Sequence, residues 1–127
     1  MSDVDAYIMR FHPEIQQRLA SIRQTALNVF GDMDEKMIEE KTRYTLPAFF
    51  ANGKDILFYG AYKDHISICV GYDWVDFLKC QYPQFHYTKA TIQFLHEDPF
   101  PDEVVQVICE LLKQGLSGWG HRSAETQ

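Results

Sequence analysis

The sequence predicts a single α+β domain: an antiparallel sheet of about four strands with N- and C-terminal helices packed on one of its faces. Three observations carry that expectation. Apolar residues recur at helical spacing near both ends of the chain, first Ile15, Leu19, Ile22, Ala26 and Val29, later Val104, Val105, Ile108, Leu111 and Leu112. Between these stripes the spacing changes to the two-residue alternation of strands. Two of the β-rich runs flank Asn52-Gly53, whose tolerance of positive φ makes it a strong hairpin signal. At 127 residues the chain suffices for one domain and is short for two.

Each element has a local reason. Ser2 caps a short first helix, and Asp5, three residues on, completes a weaker form of the capping box. His12-Pro13 opens a second helix, with Pro at its first position and Glu14 in the favourable first turn. Gly31 ends it. Asp32 to Thr42 is mixed in charge and reads as a short helix or turn, with Met33, Met37 and Ile38 as its apolar contacts. Strands follow at Tyr44 to Ala51, Asp55 to Tyr62 and His65 to Val70. Gly71 and Asp73 punctuate a short helix bearing Trp74, Phe77 and Leu78, which closes near Pro83. Thr88 to His96 is the fourth strand. Pro101 opens the last helix, with Asp102 and Glu103 in its first turn and Gly115 as its stop. Residues 1–116 form the domain on this reading, and 117–127 a flexible C-terminal tail.

Composition removes several functions. Hydrophobic residues make up 46% of the chain and aromatics 14%, enough to fill a core. The net charge is −6 and no run of Lys or Arg offers the basic face that a phosphate backbone needs, which argues against nucleic acid. No apolar run approaches the roughly 18 residues of a membrane helix. The start, Ser2-Asp3-Val4-Asp5, is acidic and has no apolar leader core. Cys69, Cys80 and Cys109 are odd in number, widely spaced and without a C-x-x-C pair, as free thiols in a reducing compartment would be. The expected location is cytoplasmic.

Five short blocks in order over Val4 to Leu112 resemble the YdhG-like family of small bacterial proteins, largely of unknown function. They are Val4-Asp5-x-Tyr7-Ile8, Tyr44-x-x-Pro47-x-Phe49, Lys63-x-His65-Ile66, Lys89-x-Thr91-Ile92-x-Phe94, and Pro101 ahead of the last helix. The resemblance implies a frataxin-like α+β domain and a role as an intracellular iron chaperone, with iron–sulfur or haem assembly proteins as partners. It also implies shared positions at Tyr44, Pro47, Lys63, His65, Lys89 and Thr91. This chain departs from the family pattern at Thr45 and Ala90, where Gly is usual, and has no Arg directly after the expected end of the last helix, Lys113 being the nearest cation. Gly permits close backbone approach to a ligand, so the two replacements bear on any backbone-mediated binding there.

Strand alternation then assigns a candidate site. Ile66, Ile68 and Val70 point one way and His65, Ser67 and Cys69 the other; Ala90, Ile92 and Phe94 oppose Lys89, Thr91 and Gln93. With the apolar sets against the helices, the other face of the sheet is polar. Tyr44, Lys63, His65, Lys89 and Thr91 are its candidate ligand-binding residues. Two ammonium groups supply charge for a small anion, while hydroxyls and an imidazole supply directional bonds. The competing reading has both Lys as solvated strand-end charges and His65 paired with Asp64.

A second candidate is metallic. Glu35, Glu39 and Glu40, with Asp32 and Asp34, offer carboxylate oxygen for weakly bound iron, Glu35 and Glu39 lying one turn apart if this segment is helical. The alternative is a solvated helix face with Lys36 beside Glu40. His96-Glu97-Asp98 near Asp102 and Glu103 is either a weaker metal group or a helix cap. No zinc spacing is present, nor G-x-S-x-G, a phosphate loop or a dinucleotide fingerprint. Cys69 and His65 lie roughly 13 Å apart along one strand, too far to act as a nucleophile pair. No catalytic residue is assigned. The expected function is therefore non-enzymatic binding at the polar sheet face, with the iron chaperone as one alternative and a protein–protein adaptor as another. Aromatic density from Tyr59 to Tyr87 leaves room for a homodimer surface.

Overall fold

The computed structural model describes residues 2–31, 38–43, 45–51 and 53–125, the last with side chains to 115. Four helices and six strands follow in the order α1 (Asp3–Ile8), α2 (Pro13–Phe30), β1 (Ile38–Arg43), β2 (Leu46–Ala51), β3 (Lys54–Ala61), β4 (His65–Cys69), α3 (Tyr72–Gln81), β5 (His86–Tyr87), β6 (Thr91–Leu95) and α4 (Asp102–Glu125). The strands form one antiparallel sheet in the order β1-β2-β3-β4-β6-β5. The α+β architecture matches the expectation, but the sheet has six strands rather than four.

The two extra strands have different causes. β5 is two residues long, His86 and Tyr87 pairing with Gln93 and Ile92, and it lies just before the expected fourth strand, which itself shortens to β6. β1 occupies the charged stretch expected to be a helix or turn. Its register against β2 puts Glu40 opposite Phe49 and Thr42 opposite Pro47, on the helix side of the sheet. Both inward polar residues are satisfied there. Arg23 Nε on α2 donates to Glu40 Oε2 at 2.8 Å, and its Nη1 donates to Asp5 Oδ1 at 2.6 Å. The Thr42 amide and hydroxyl donate to Asp3 Oδ2 at 3.0 and 2.6 Å. Helices α1 and α2 thus complete a strand whose own sequence carries little β signal.

The local caps behave as expected. Asp5 N–H donates to Ser2 Oγ at 3.1 Å and Ser2 N–H to Asp5 Oδ2 at 3.2 Å, closing the capping box. Pro13 stands at the start of α2. Gly53, with φ of 79°, turns β2 into β3, while its neighbour Asn52 lies outside the described residues. Gly115 does not stop α4, which continues to Glu125. A Cβ at 115 would lie 3.0 Å from Cζ2 of Trp74, so the bare position lets α4 run close past α3.

One continuous core joins the four helices to one sheet face, through Val4 and Tyr7, Leu19 and Ile22, Val75 and Leu78, Val105 and Ile108. At its centre Phe49 lies between Phe30, 5.9 Å away between ring centroids, and Tyr59 at 6.4 Å. The opposite face is mixed rather than uniformly polar. Ser67 and Gln93 are register partners there, but Ala48 and Phe50 on the β2 side are fully buried. Arg43 and Lys41 cover the Phe50 ring at 4.6 and 5.0 Å, and Phe58 meets it edge-on. Of the three free thiols, Cys109 is buried, Cys69 half-buried and Cys80 exposed. Burial pushes the Cys109 thiol up to about 12.

The helix–strand contacts have a pH signature. Bonds from Thr42 hold the Asp3 carboxyl below its usual range, and the Ser2 amide followed by Arg23 does the same for Asp5. A carboxylate with a lowered folded-state pKa contributes stability above its unfolded value, near about 4. That contribution is lost as pH falls through the folded value. The urea midpoint is therefore expected to hold from neutral pH down to about pH 5 and then decline. Asp3→Asn and Asp5→Asn together should flatten the decline; an unchanged acid limb would mean these bonds contribute nothing.

Candidate functional site

A groove of about 570 Å³ opens where the α1–α2 joint faces the β3–β4 turn. The first wall begins as α1 ends: Arg10 and Phe11 amides fold back on the Tyr7 and Ile8 carbonyls at 3.2 and 3.3 Å. His12 is extended (φ −60°, ψ 152°), as a residue before proline prefers, and Pro13 begins α2. Gln16 Nε2 donates to the Phe11 carbonyl at 2.7 Å and pins the joint.

The second wall is held by His96, which follows β6. Its amide donates to the Asp64 carbonyl at 2.9 Å, and its ring Nε2 lies 2.7 Å from the Tyr62 carbonyl. A carbonyl only accepts, so Nε2 carries the proton. Arg18 on α2 in turn donates to the His96 and Asp98 carbonyls at 3.2 and 3.0 Å. This chain of bonds ties α2 to the turn that presents Lys63. Tyr7 fixes the inner end, its hydroxyl accepting the Ala61 amide proton at 3.2 Å. Gly60 makes room for that contact: a Cβ at 60 would lie 2.9 Å from the Tyr7 hydroxyl and 2.6 Å from Leu46 Cδ2.

The lining is cationic and apolar. Arg10, Lys63 and His12 supply nitrogen, while Phe11, Pro13, Ile15, Ala61, Tyr62 and the His96 ring supply the rest of the wall; among the described residues no carboxylate lines the groove. Among the described residues, neither Arg10 nor Lys63 has a carboxylate partner. Arg10 instead lies over the Tyr7 ring, 5.2 Å from its centroid. His12 makes no side-chain cap bond. Arg10 also lines a smaller cleft of about 250 Å³ with Asp3, Tyr7, Thr42 and Thr45. Thr45 adopts a positive φ of 65°, a conformation that Gly favours and a β-branched residue rarely takes.

The residues expected to form one ligand site separate into two places. Lys63 is in the groove wall. His65 starts β4, its Nδ1 2.6 Å from Asp64 Oδ1 and its ring stacked on Tyr62 at 5.1 Å. That contact lowers the Asp64 pKa. Lys89 is exposed in the link between β5 and β6, and the Thr91 hydroxyl, at the start of β6, shares a hydrogen bond with Thr88 at 2.5 Å. The ladder pairs His65 with Leu95 and Cys69 with Thr91, so the two groups sit at opposite ends of β4, roughly 13 Å apart. Tyr44 lies outside the described residues. A single cluster of all these side chains does not form.

The carboxylate strip is also rearranged. Glu35, with Asp32, Asp34 and Lys36, lies outside the described residues. Glu39 and Glu40 are neighbours on strand β1 and so point to opposite faces. Glu40 is taken by Arg23, and Glu39 lies 3.2 Å from Lys41 Nζ. Among the described residues no three His, Cys, Asp or Glu side chains gather as a group able to hold a metal ion. His96 serves the groove instead of a metal group with Glu97 and Asp98. No described helix is long and apolar enough to cross a membrane.

With this geometry established, comparison with known proteins bears on the fold. No family model matches the chain. No curated protein matches it either. A solved structure of a protein from the DUF1801 family, YdhG of Bacillus subtilis, superposes with a TM-score of 0.73, covering 91% of each chain at 15% identity. The chain shares that protein's fold. At this identity the likeness extends to architecture alone, and it is silent on frataxin and on iron.

Proposed function

We propose that this protein is a non-enzymatic binding protein for a small anion, held in the groove between the α1–α2 joint and the β3–β4 turn. One observation carries the reading: in a chain of net charge −6, two cations line the same groove and, among the described residues, neither has a carboxylate partner and no carboxylate shares the lining. Arg10 offers a planar fork of donors and Lys63 a mobile point charge, a combination suited to an oxyanion. Concentrating positive potential in a concave place also raises the local concentration of anions. The reading keeps Lys63 from the expected set and replaces its other members with Arg10 and His12, on a wall that His96 holds in place. Placement within the YdhG-like family is part of the same proposal, supported by the five sequence blocks and the shared fold.

The test is a titration of the ¹⁵N-labelled chain with inorganic phosphate at low salt, followed by amide shifts. Shifts are expected around Arg10, His12 and Lys63, weakening as chloride is added. They should be lost when both Arg10 and Lys63 are changed to Gln. Shifts centred on Lys89 and Thr91, or unaffected by the double substitution, would overturn the assignment.

A further inference from the structure

The same groove, taken as an anion site, also says what the rest of the ligand is. We infer that its ligand is amphipathic, an oxyanion head joined to a flat apolar body. The polar groups occupy only part of the lining: Phe11, Ile15 and Tyr62 present carbon between and beside Arg10 and Lys63. Tyr62 is the most informative of these. One side of its ring stacks on His65, nearly parallel at 17°, yet the residue is still 47% exposed. An aromatic ring backed by a second ring and open at the groove is a surface on which a planar group stacks. Phe11 is anchored from behind by Tyr7, ring centroids 5.2 Å apart, and Arg10 is held across the same Tyr7 ring. Phe11 and Arg10 are therefore both held before a ligand arrives, which lowers the ordering cost of binding, while Lys63 stays free to adjust.

Size points the same way. About 570 Å³ falls within the roughly 300–1,000 Å³ of sites that enclose whole organic molecules. A bare inorganic anion would meet the charges and leave Phe11, Ile15 and Tyr62 wet. A carboxylate, sulfate or phosphate ester on an aromatic body satisfies both parts.

The experiment compares phenyl phosphate, inorganic phosphate and phenol by amide-shift titration of the full chain, with Tyr62→Ser as the variant. Tyr62 is about half exposed and outside the core, so that change should leave the fold intact, which the dispersion of the spectrum checks. Phenyl phosphate is expected to bind at least about tenfold more tightly than either of the others, and Tyr62→Ser to reduce that advantage severalfold. Equal affinity for phosphate and phenyl phosphate would overturn the amphipathic ligand and leave the anion site standing. An unchanged preference in Tyr62→Ser would also overturn it. Phenol binding as tightly as phenyl phosphate, or no groove shifts with any probe, would overturn the anion site as well.

Discussion

Truncation of Phe49 to Ala is expected to cost about 3–5 kcal/mol, read as a lower urea midpoint with little change in slope. Phe49 is fully buried, stacked on Tyr59 and packed against a tilted Phe30 at the point where β2 and β3 meet α2. These two neighbours come from α2 and β3, each fixed by other contacts, so they are expected to close only partly around the space left behind. Domains of this kind are stable by only about 5–15 kcal/mol, and the loss would be a large share of that. A loss below about 1 kcal/mol would mean that the site collapses freely and that the core is looser than its packing implies.

The second large effect belongs to Arg23. Replacing it with Met keeps most of the apolar stem and removes the charge that Glu40 and Asp5 share. Glu40 is the more buried of the two, its side chain 14% exposed, and is left facing the core side of β1 without a partner. Breaking a deeply buried pair costs several kcal/mol, but Arg23 is 27% and Asp5 41% exposed, so solvent screening reduces the figure to about 1–2 kcal/mol. The double change Arg23→Met with Glu40→Gln should recover part of the loss, because the stranded charge is gone. Faster hydrogen exchange in β1 amides should accompany the single change. A neutral Arg23→Met would mean that β1 is held by its ladder with β2 alone.

Much of the architecture was legible because it was locally encoded. Ser2 with Asp5, Pro13, Gly53 and the alternation from Ile66 to Val70 each act through their own neighbours. What escaped depends on distant groups. β1 reads as a charged turn because the partners that make Glu40 and Thr42 acceptable inside, Arg23 and Asp3, stand 17 and 39 residues away. Gly115 reads as a stop, but Trp74 on another helix gives its bareness a different use. The groove shows the same division. Lys63 was visible as a cation closing a strand, whereas Arg10, His12 and His96 acquire their role only when the joint, the turn and the end of β6 are brought together. The one local cue was the Arg10-Phe11-His12-Pro13 block, a cationic and aromatic run at a helix start, which reads first as helix punctuation.

Gly60 ties the groove to the history of the sequence. Leu46 can swing aside from an added methyl, but the Tyr7 hydroxyl is held by the Ala61 amide and has no such freedom. Position 60 therefore depends on position 7: a side chain at 60 is expected to be admitted only with a shorter or non-hydroxylated residue at 7. That exchange leaves an amide without its acceptor in the wall that presents Tyr62 and Lys63. Relatives that bind the same ligand are expected to keep the Tyr–Gly pair, and its loss in a relative marks a groove that has been rebuilt.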